Sequence, residues 1–254
     1  MWSTFARIDA WLIAMVLAAA MFVACGLGWW SARRSRREGT RAATKFDDAS
    51  LALLGLLLAF TFSMALAKHE QRRTMVITDS NAIGDFYTCI TLLDEPVRST
   101  LQGVVREYTQ LRIDIVRKPP DEASLEQVLR QFQHLHARMT ALVAEAVHQG
   151  TPLAVPLANT LNEVTSSHAA LVAAFGDRLP TSIALLLFLA AIVSVTLVGR
   201  EQGTSPAPYG AGAVGFILLV TLAVYVTLDL NQPTRGWITV SVEPLERVLS
   251  SMTE

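Results

Sequence analysis

The sequence predicts an all-α integral membrane protein with four transmembrane helices and an extramembrane helical bundle formed partly by extensions of spans 2 and 3. Three observations predict it. Of 254 residues, 52% are hydrophobic and only 17% are charged, against about 25% charged in a typical soluble domain. Four apolar runs, bounded by charges, approach or exceed the roughly 20 residues that a helix needs to cross a hydrocarbon core of about 30 Å. Between the second and third runs the apolar residues recur at steps of three and four, and no stretch alternates with period two.

The first run lies between Asp9 and Arg33 and ends in Trp29 and Trp30, a pair suited to a headgroup-level aromatic belt. It exceeds the 7 to 15 residues of a signal-peptide core, and its basic cluster follows the run, so it reads as a retained span. The second run fills the 19 positions between Asp48 and Lys68. The third lies between Arg178 and Arg200, with Pro180 where a new helical segment or a kink begins. The fourth is the apolar part of the charge-free stretch from Glu201 to Asp229. Hydrophobicity is continuous around all four, which separates them from one-sided core helices. The predicted organisation is 1–67 for the first two spans, 68–178 for the bundle, 179–228 for the third and fourth spans, and 229–254 for a turn and short amphipathic segment.

Four spans put both termini on one side. The 31–48 loop has Arg33, Arg34, Arg36, Arg37, Arg41 and Lys45, and this density places it in the cytoplasm by the positive-inside rule. The tally of positive residues that flank the spans is nevertheless even. Arg200 brings the loop side to seven, and Arg7, Lys68, Arg72, Arg73, Arg178, Arg235 and Arg247 make seven on the other.

In the central region, Val97, Leu101, Val104, Val105, Tyr108, Leu111 and Ile115 form one helical stripe. Leu125, Val128, Leu129, Phe132, Leu135, Met139, Leu142 and Val143 form another. Asp94, Glu95 and Pro96 signal a helix start, Pro119 and Pro120 a break, and Asp121 and Glu122 an acidic first turn. Gly150, Thr151 and Pro152 mark the next break. No proline stands between Ala49 and Leu93, so the second span is expected to leave the bilayer as one long helix. A further stripe of Leu153, Leu157, Leu161, Val164, Leu171 and Phe175 leads through Pro180 into the third span.

Composition also limits function. The formal net charge of -1 leaves no basic excess for a nucleic-acid backbone. Cys25 and Cys89 lie in dissimilar surroundings and build no disulfide framework or zinc knuckle. His134 and His136 are two apart and face different sides of a helix, and Arg73 stands where a zinc protease would need a second histidine after His69. No nucleophile motif, phosphate loop or dinucleotide fingerprint is present, so the reading is no enzyme, no cofactor and no metal. None of the runs has an ionisable residue at its middle, which disfavours a proton-coupled carrier.

Two sets of residues remain as candidates. Phe60, Thr61, Phe62 and Ser63 are candidate pore-lining residues if several copies meet around an axis; the alternative for the hydroxyls is bonding back to their own helix. Lys68, Arg72 and Arg73 form either an interfacial collar or an electropositive vestibule that gathers anions. Gly26 and Gly28, and Gly212 and Gly215, suit close helix contact.

The stretch from Leu53 to Tyr108, LLGLLLAFTFSMALAKHEQRRTMVITDSNAIGDFYTCITLLDEPVRSTLQGVVREY, resembles the bestrophin-like family of bacterial membrane proteins. So does LDLNQPTRGWITVSVEPL at 228–245, where Asp229, Pro233, Gly236, Val240, Ser241 and Pro244 match that family's closing signature. The chain departs from the pattern at Thr78 and Asp79, where an acidic pair is expected, and at Cys89, where a basic residue is expected. The resemblance implies a multi-pass protein of a bacterial cytoplasmic (inner) membrane. It also implies kinship with bestrophins, pentameric anion channels whose helices extend into the cytoplasm, and that kinship would put the central bundle inside the cell. Two functions follow as expectations. One is a homo-oligomeric passive channel for small inorganic ions; the other is a membrane-anchored helical interaction or sensor module without transport. The expected partners are the lipid bilayer and further copies of the chain.

Overall fold

The structure, a computed structural model, describes residues 9–36, 45–118, 122–204, 211–232 and 236–253. Eight helices and no strand occur among them. They are α1 (Ala10–Arg36), α2 (Lys45–Thr91), α3 (Val97–Arg117), α4 (Glu122–His148), α5 (Ala154–Gly176), α6 (Thr181–Thr204), α7 (Ala211–Asn231) and α8 (Glu243–Ser251). Arg37, Arg41, the Pro119–Asp121 break and the signature residue Pro233, with Thr234 and Arg235, lie outside the described residues.

The chain divides into two compact units, one of residues 1–69 and 178–239, the other of residues 70–177 and 240–254. α2 contributes to both as one unbroken helix of 47 residues. The four expected spans appear as α1, the first part of α2, α6 and α7, each long and apolar enough to cross a membrane. α5 and α6 are separate helices. Pro180 lacks an N–H and restricts Leu179, Asp177 is extended at φ -77°, ψ 117°, and α6 restarts with Ile183 N–H donating to the Pro180 carbonyl at 3.0 Å.

In the first unit the core comprises Leu17, Met21 and Cys25 of α1, Leu54 of α2, Leu187, Ala191 and Val195 of α6, and Ile217, Val220 and Val224 of α7. α1 and α6 pack backbone against backbone. A Cβ built on Gly28 would overlap the Thr196 carbonyl, one on Gly199 the Cys25 backbone, and one on Gly203 the Trp29 carbonyl and Ala32 Cβ. This is the small-residue packing by which membrane helices gain dispersion contacts where no hydrophobic drive acts. Gly28 fulfils the close-contact expectation, whereas Gly26, Gly212 and Gly215 have open space beside them; Gly199 and Gly203 take their place.

The second unit buries the stripe Val76, Ile83, Phe86 and Ile90 of α2 against Leu101, Val104, Val105 and Tyr108 of α3, Phe132, Leu135 and Met139 of α4, and Leu157, Val164 and Leu171 of α5. α3 starts after Pro96, where the Glu95 carboxylate accepts the Ser99 N–H at 3.2 Å and Arg98 Nε at 3.0 Å. These bonds hold the Glu95 carboxyl below its usual range. α4 ends at His148 and the chain turns at Gly150, whose φ of 82° suits glycine; there the Thr151 N–H reaches back to the Ala146 carbonyl at 3.3 Å. The expected α3 stripe drifts after Tyr108. Leu111 and Ile115 are only half-buried, and Thr109, Arg112 and Ile113 take the inner face. In α4, Leu129 is largely exposed, while the Leu125 side chain lies outside the described residues.

Candidate functional site

The membrane-length part of α2 presents one narrow inner stripe, Leu54, Thr61 and Ala65, and leaves most of its circumference open. Phe60 is 61% exposed and Phe62 40%; Ser63 is exposed too. Thr61 faces inward, and its hydroxyl donates to the Leu57 and Leu58 carbonyls at 2.8 and 3.1 Å. Of the four candidates for a pore surface, Thr61 is therefore spent on its own helix, the back-bonding that Ser and Thr make in apolar surroundings. Phe60, Phe62 and Ser63 lie on the open surface.

Further along α2, Arg72 and Arg73 part company. Arg72 is fully buried and donates from Nε to the Ala174 carbonyl at 3.2 Å and from its terminal nitrogen to the Asp177 carbonyl at 2.7 Å. The last carbonyls of α5 lack intrahelical donors, and a cation there meets the negative end of the helix dipole. Arg72 thus tethers the end of α5. Arg73 stays exposed beside Glu70 at 3.6 Å. It lines an open groove of about 430 Å³ together with Ser80 and Asn81 of α2 and Ser241, Pro244 and Arg247 around α8. Lys68, at the end of the first unit's share of α2, is half-buried.

The signature residues of the tail do separate jobs. Asp229, buried at the end of α7, accepts the Trp237 N–H at 3.1 Å and the Ile238 N–H at 2.9 Å. Gly236 has φ 118° and sits so close that a Cβ would overlap the Asp229 carboxylate. Nearby, Asn231 accepts the Leu179 N–H at 2.8 Å. In the second unit Val240 is buried in the core. Ser241 Oγ accepts the Glu243 N–H at 3.2 Å, although Val242 holds the N-cap position. Pro244 occupies the first turn, where a missing N–H costs nothing. α8 buries Leu245, with Val248 and Leu249 packed on the same core. The tail is fastened at Met252, whose carbonyl accepts Tyr87 Oη at 3.0 Å and Arg106 Nε at 2.9 Å.

The sequence reading missed a polar cluster in the second unit. Arg112 of α3 pairs with the fully buried Asp79 of α2, and Ser167 Oγ of α5 donates to the other oxygen of that carboxylate at 2.9 Å. Arg112 also meets His168 Nδ1 at 2.7 Å. Tyr108, Phe132, His136 and His168 pack around this pair with centroids 4.9 to 6.2 Å apart, Tyr108–Phe132 and His136–His168 edge to face and the other pairs tilted. Burial, the Arg112 charge and His136 push His168 down to about 3. Burial and the same charge lower His136, and burial raises Tyr108. Among the described residues Tyr108 Oη and His136 Nε2 are buried without a hydrogen-bond partner, at a cost of about 1–3 kcal/mol for each such group. A signal for the cluster was present: Arg112 stands four residues after Tyr108 on the apolar stripe, and Asp79 falls between Val76 and Ile83 on that of α2. No group of three or more metal-ligating side chains occurs among the described residues.

A family model described as the bestrophin-like domain matches residues 13–245. No curated protein matches the sequence. Crystal structures of a bacterial bestrophin homologue from Klebsiella pneumoniae are similar in fold. One point variant superposes with a TM-score of 0.71 at 12% identity, covering 97% of this chain and 99% of the other. A second variant gives 0.67 at 11%, covering 95% and 98%. A third structure, solved by zinc phasing, gives 0.66 at 13%, covering 94% and 97%. At such identities the likeness is one of fold.

Proposed function

Because the chain belongs to the bestrophin-like family of multi-pass membrane proteins, we propose that it assembles with copies of itself into a passive ion channel selective for anions, with α2 facing the conduction path. The observation that supports this reading is the open surface of α2. In its most apolar stretch only 17% of residues are buried, against 28–33% in the other spans. Four spans are few for one chain to enclose a path alone, and the exposed Phe60, Phe62 and Ser63 are placed to meet their counterparts around an axis. Aromatic residues at that depth make an apolar constriction, which gates by dewetting. Arg73, exposed further along α2, supplies positive charge that draws anions.

The second unit stands outside the bilayer in this proposal. Its surface displays ion pairs between Arg98 and Glu95, Arg130 and Glu126, and Arg138 and Glu107, which suit water and not lipid. With the span-flanking positive residues even at seven a side, we adopt the orientation that kinship with bestrophins supports, with the unit facing the cytoplasm of a bacterial inner membrane. The experiment is conductance of the purified chain in planar bilayers. Wild type is expected to carry an anion current that Phe62→Trp reduces severalfold. A silent, correctly folded wild type would overturn the channel reading in favour of a membrane-anchored interaction module.

A further inference from the structure

All four long helical segments of the second unit meet at the Asp79–Arg112 cluster, which the channel reading does not use. α2 presents Asp79 to it, α3 presents Arg112 and Tyr108, α4 presents His136, and α5 presents His168 and Ser167. The protons in this cluster have fixed places. Arginine keeps its charge at every accessible pH and has only donors, so Arg112 donates to His168 Nδ1 and the neutral ring has its hydrogen on Nε2. That bond exists only while the ring is neutral. An imidazolium has N–H at both nitrogens, and its Nδ1–H would point at a guanidinium N–H across 2.7 Å.

We infer that the cluster is a proton-operated clasp, in which protonation of His168 releases α5 from α3 while Asp79 and Arg112 stay paired. The surroundings of His168 leave the new charge unsupported. Arg112 and His136 oppose it, Tyr108 is neutral, and Asp79 already has one oxygen on Arg112 and the other on Ser167. Opening at this point is also favoured by Tyr108 Oη and His136 Nε2, which have no partner while closed and gain water when α5 moves away. The clasp itself does not depend on whether the protein conducts.

With His168 near 3 in the closed form and 6.5 in the open one, the open form binds more protons between these values. Closure is therefore complete above about pH 6.5 and weakens as pH falls, the opening equilibrium rising about tenfold from pH 7.5 to 5.5. Hydrogen exchange of the full chain in detergent, corrected for intrinsic pH dependence, tests this. Amides of 157–176 are expected to exchange about tenfold faster at pH 5.5 than at 7.5. His168→Asn keeps an acceptor for Arg112 but takes up no proton, and its exchange should be flat over that window. A flat wild type overturns the clasp, as does a variant that responds like wild type. Should the variant fail to fold, NMR of ring-labelled wild type decides: His168 stays neutral in the Nε2–H form down to pH 5 if the clasp is real, and an ordinary titration near 6.5 in a closed bundle sinks it.

Discussion

The Asp229 carboxylate occupies the space that a side chain at Gly236 would fill. One residue needs the other: the carboxylate caps the Trp237 and Ile238 N–H groups, and the positive φ of Gly236 turns the chain so that those groups face it. Gly236→Ala is expected to destabilise the protein by about 1–3 kcal/mol, from backbone strain and displacement of the carboxylate. Thermal unfolding in detergent checks it. Asp229→Asn, which keeps one acceptor oxygen, should lose less than Asp229→Ala.

Replacing one partner of the Asp79–Arg112 pair leaves a charge buried without its counterpart. Asp79→Leu is expected to cost about 3–5 kcal/mol, and pairing it with Arg112→Met should recover most of the loss, because desolvating two ions offsets much of what their attraction gives. Denaturant unfolding of the two single variants and the double variant measures the coupling. Additive losses would refute it.

Sequence alone was sufficient for what periodicity and run length encode. The four spans, the unbroken α2 and the stripe from Leu101 to Tyr108 follow from where apolar residues recur. Arg112 and Asp79 escaped because an apolar stripe is read by hydrophobicity, and a buried ion pair has the composition of a surface. Arg72 was grouped with Lys68 and Arg73 by adjacency, yet at 100° per residue neighbours on a helix face apart. Only the fold brings Arg72 to the end of α5, about a hundred positions away. Gly199 and Gly203 had no visible partner until α6 was placed against α1.

Removal of the tail tests the clamp on Met252. Deleting residues 240–254 takes Leu245 out of the core and leaves Arg106 and Tyr87 without their shared carbonyl. A clear drop in melting temperature is expected, and Arg106→Ala should reproduce about 1–3 kcal/mol of it. An unchanged melt in both would count decisively against docking.

Orientation is open to chemical labelling in intact cells. A cysteine at Thr40 is expected to react with an impermeant maleimide added outside, and one at Ser124 only after permeabilisation. The reverse pattern would restore the orientation that the basic 31–48 loop suggests on its own.

Because α1 and α6 touch through bare backbone at Gly28, Gly199 and Gly203, neither helix can slide or roll past the other without its carbonyls colliding. The pair therefore behaves as a single stiff strut, closer to a machine frame than to a moving part. Any rearrangement within the first unit must be borne by the loosely seated α2 or by α7, and a side chain larger than hydrogen at Gly199 would alter the frame before it altered the motion.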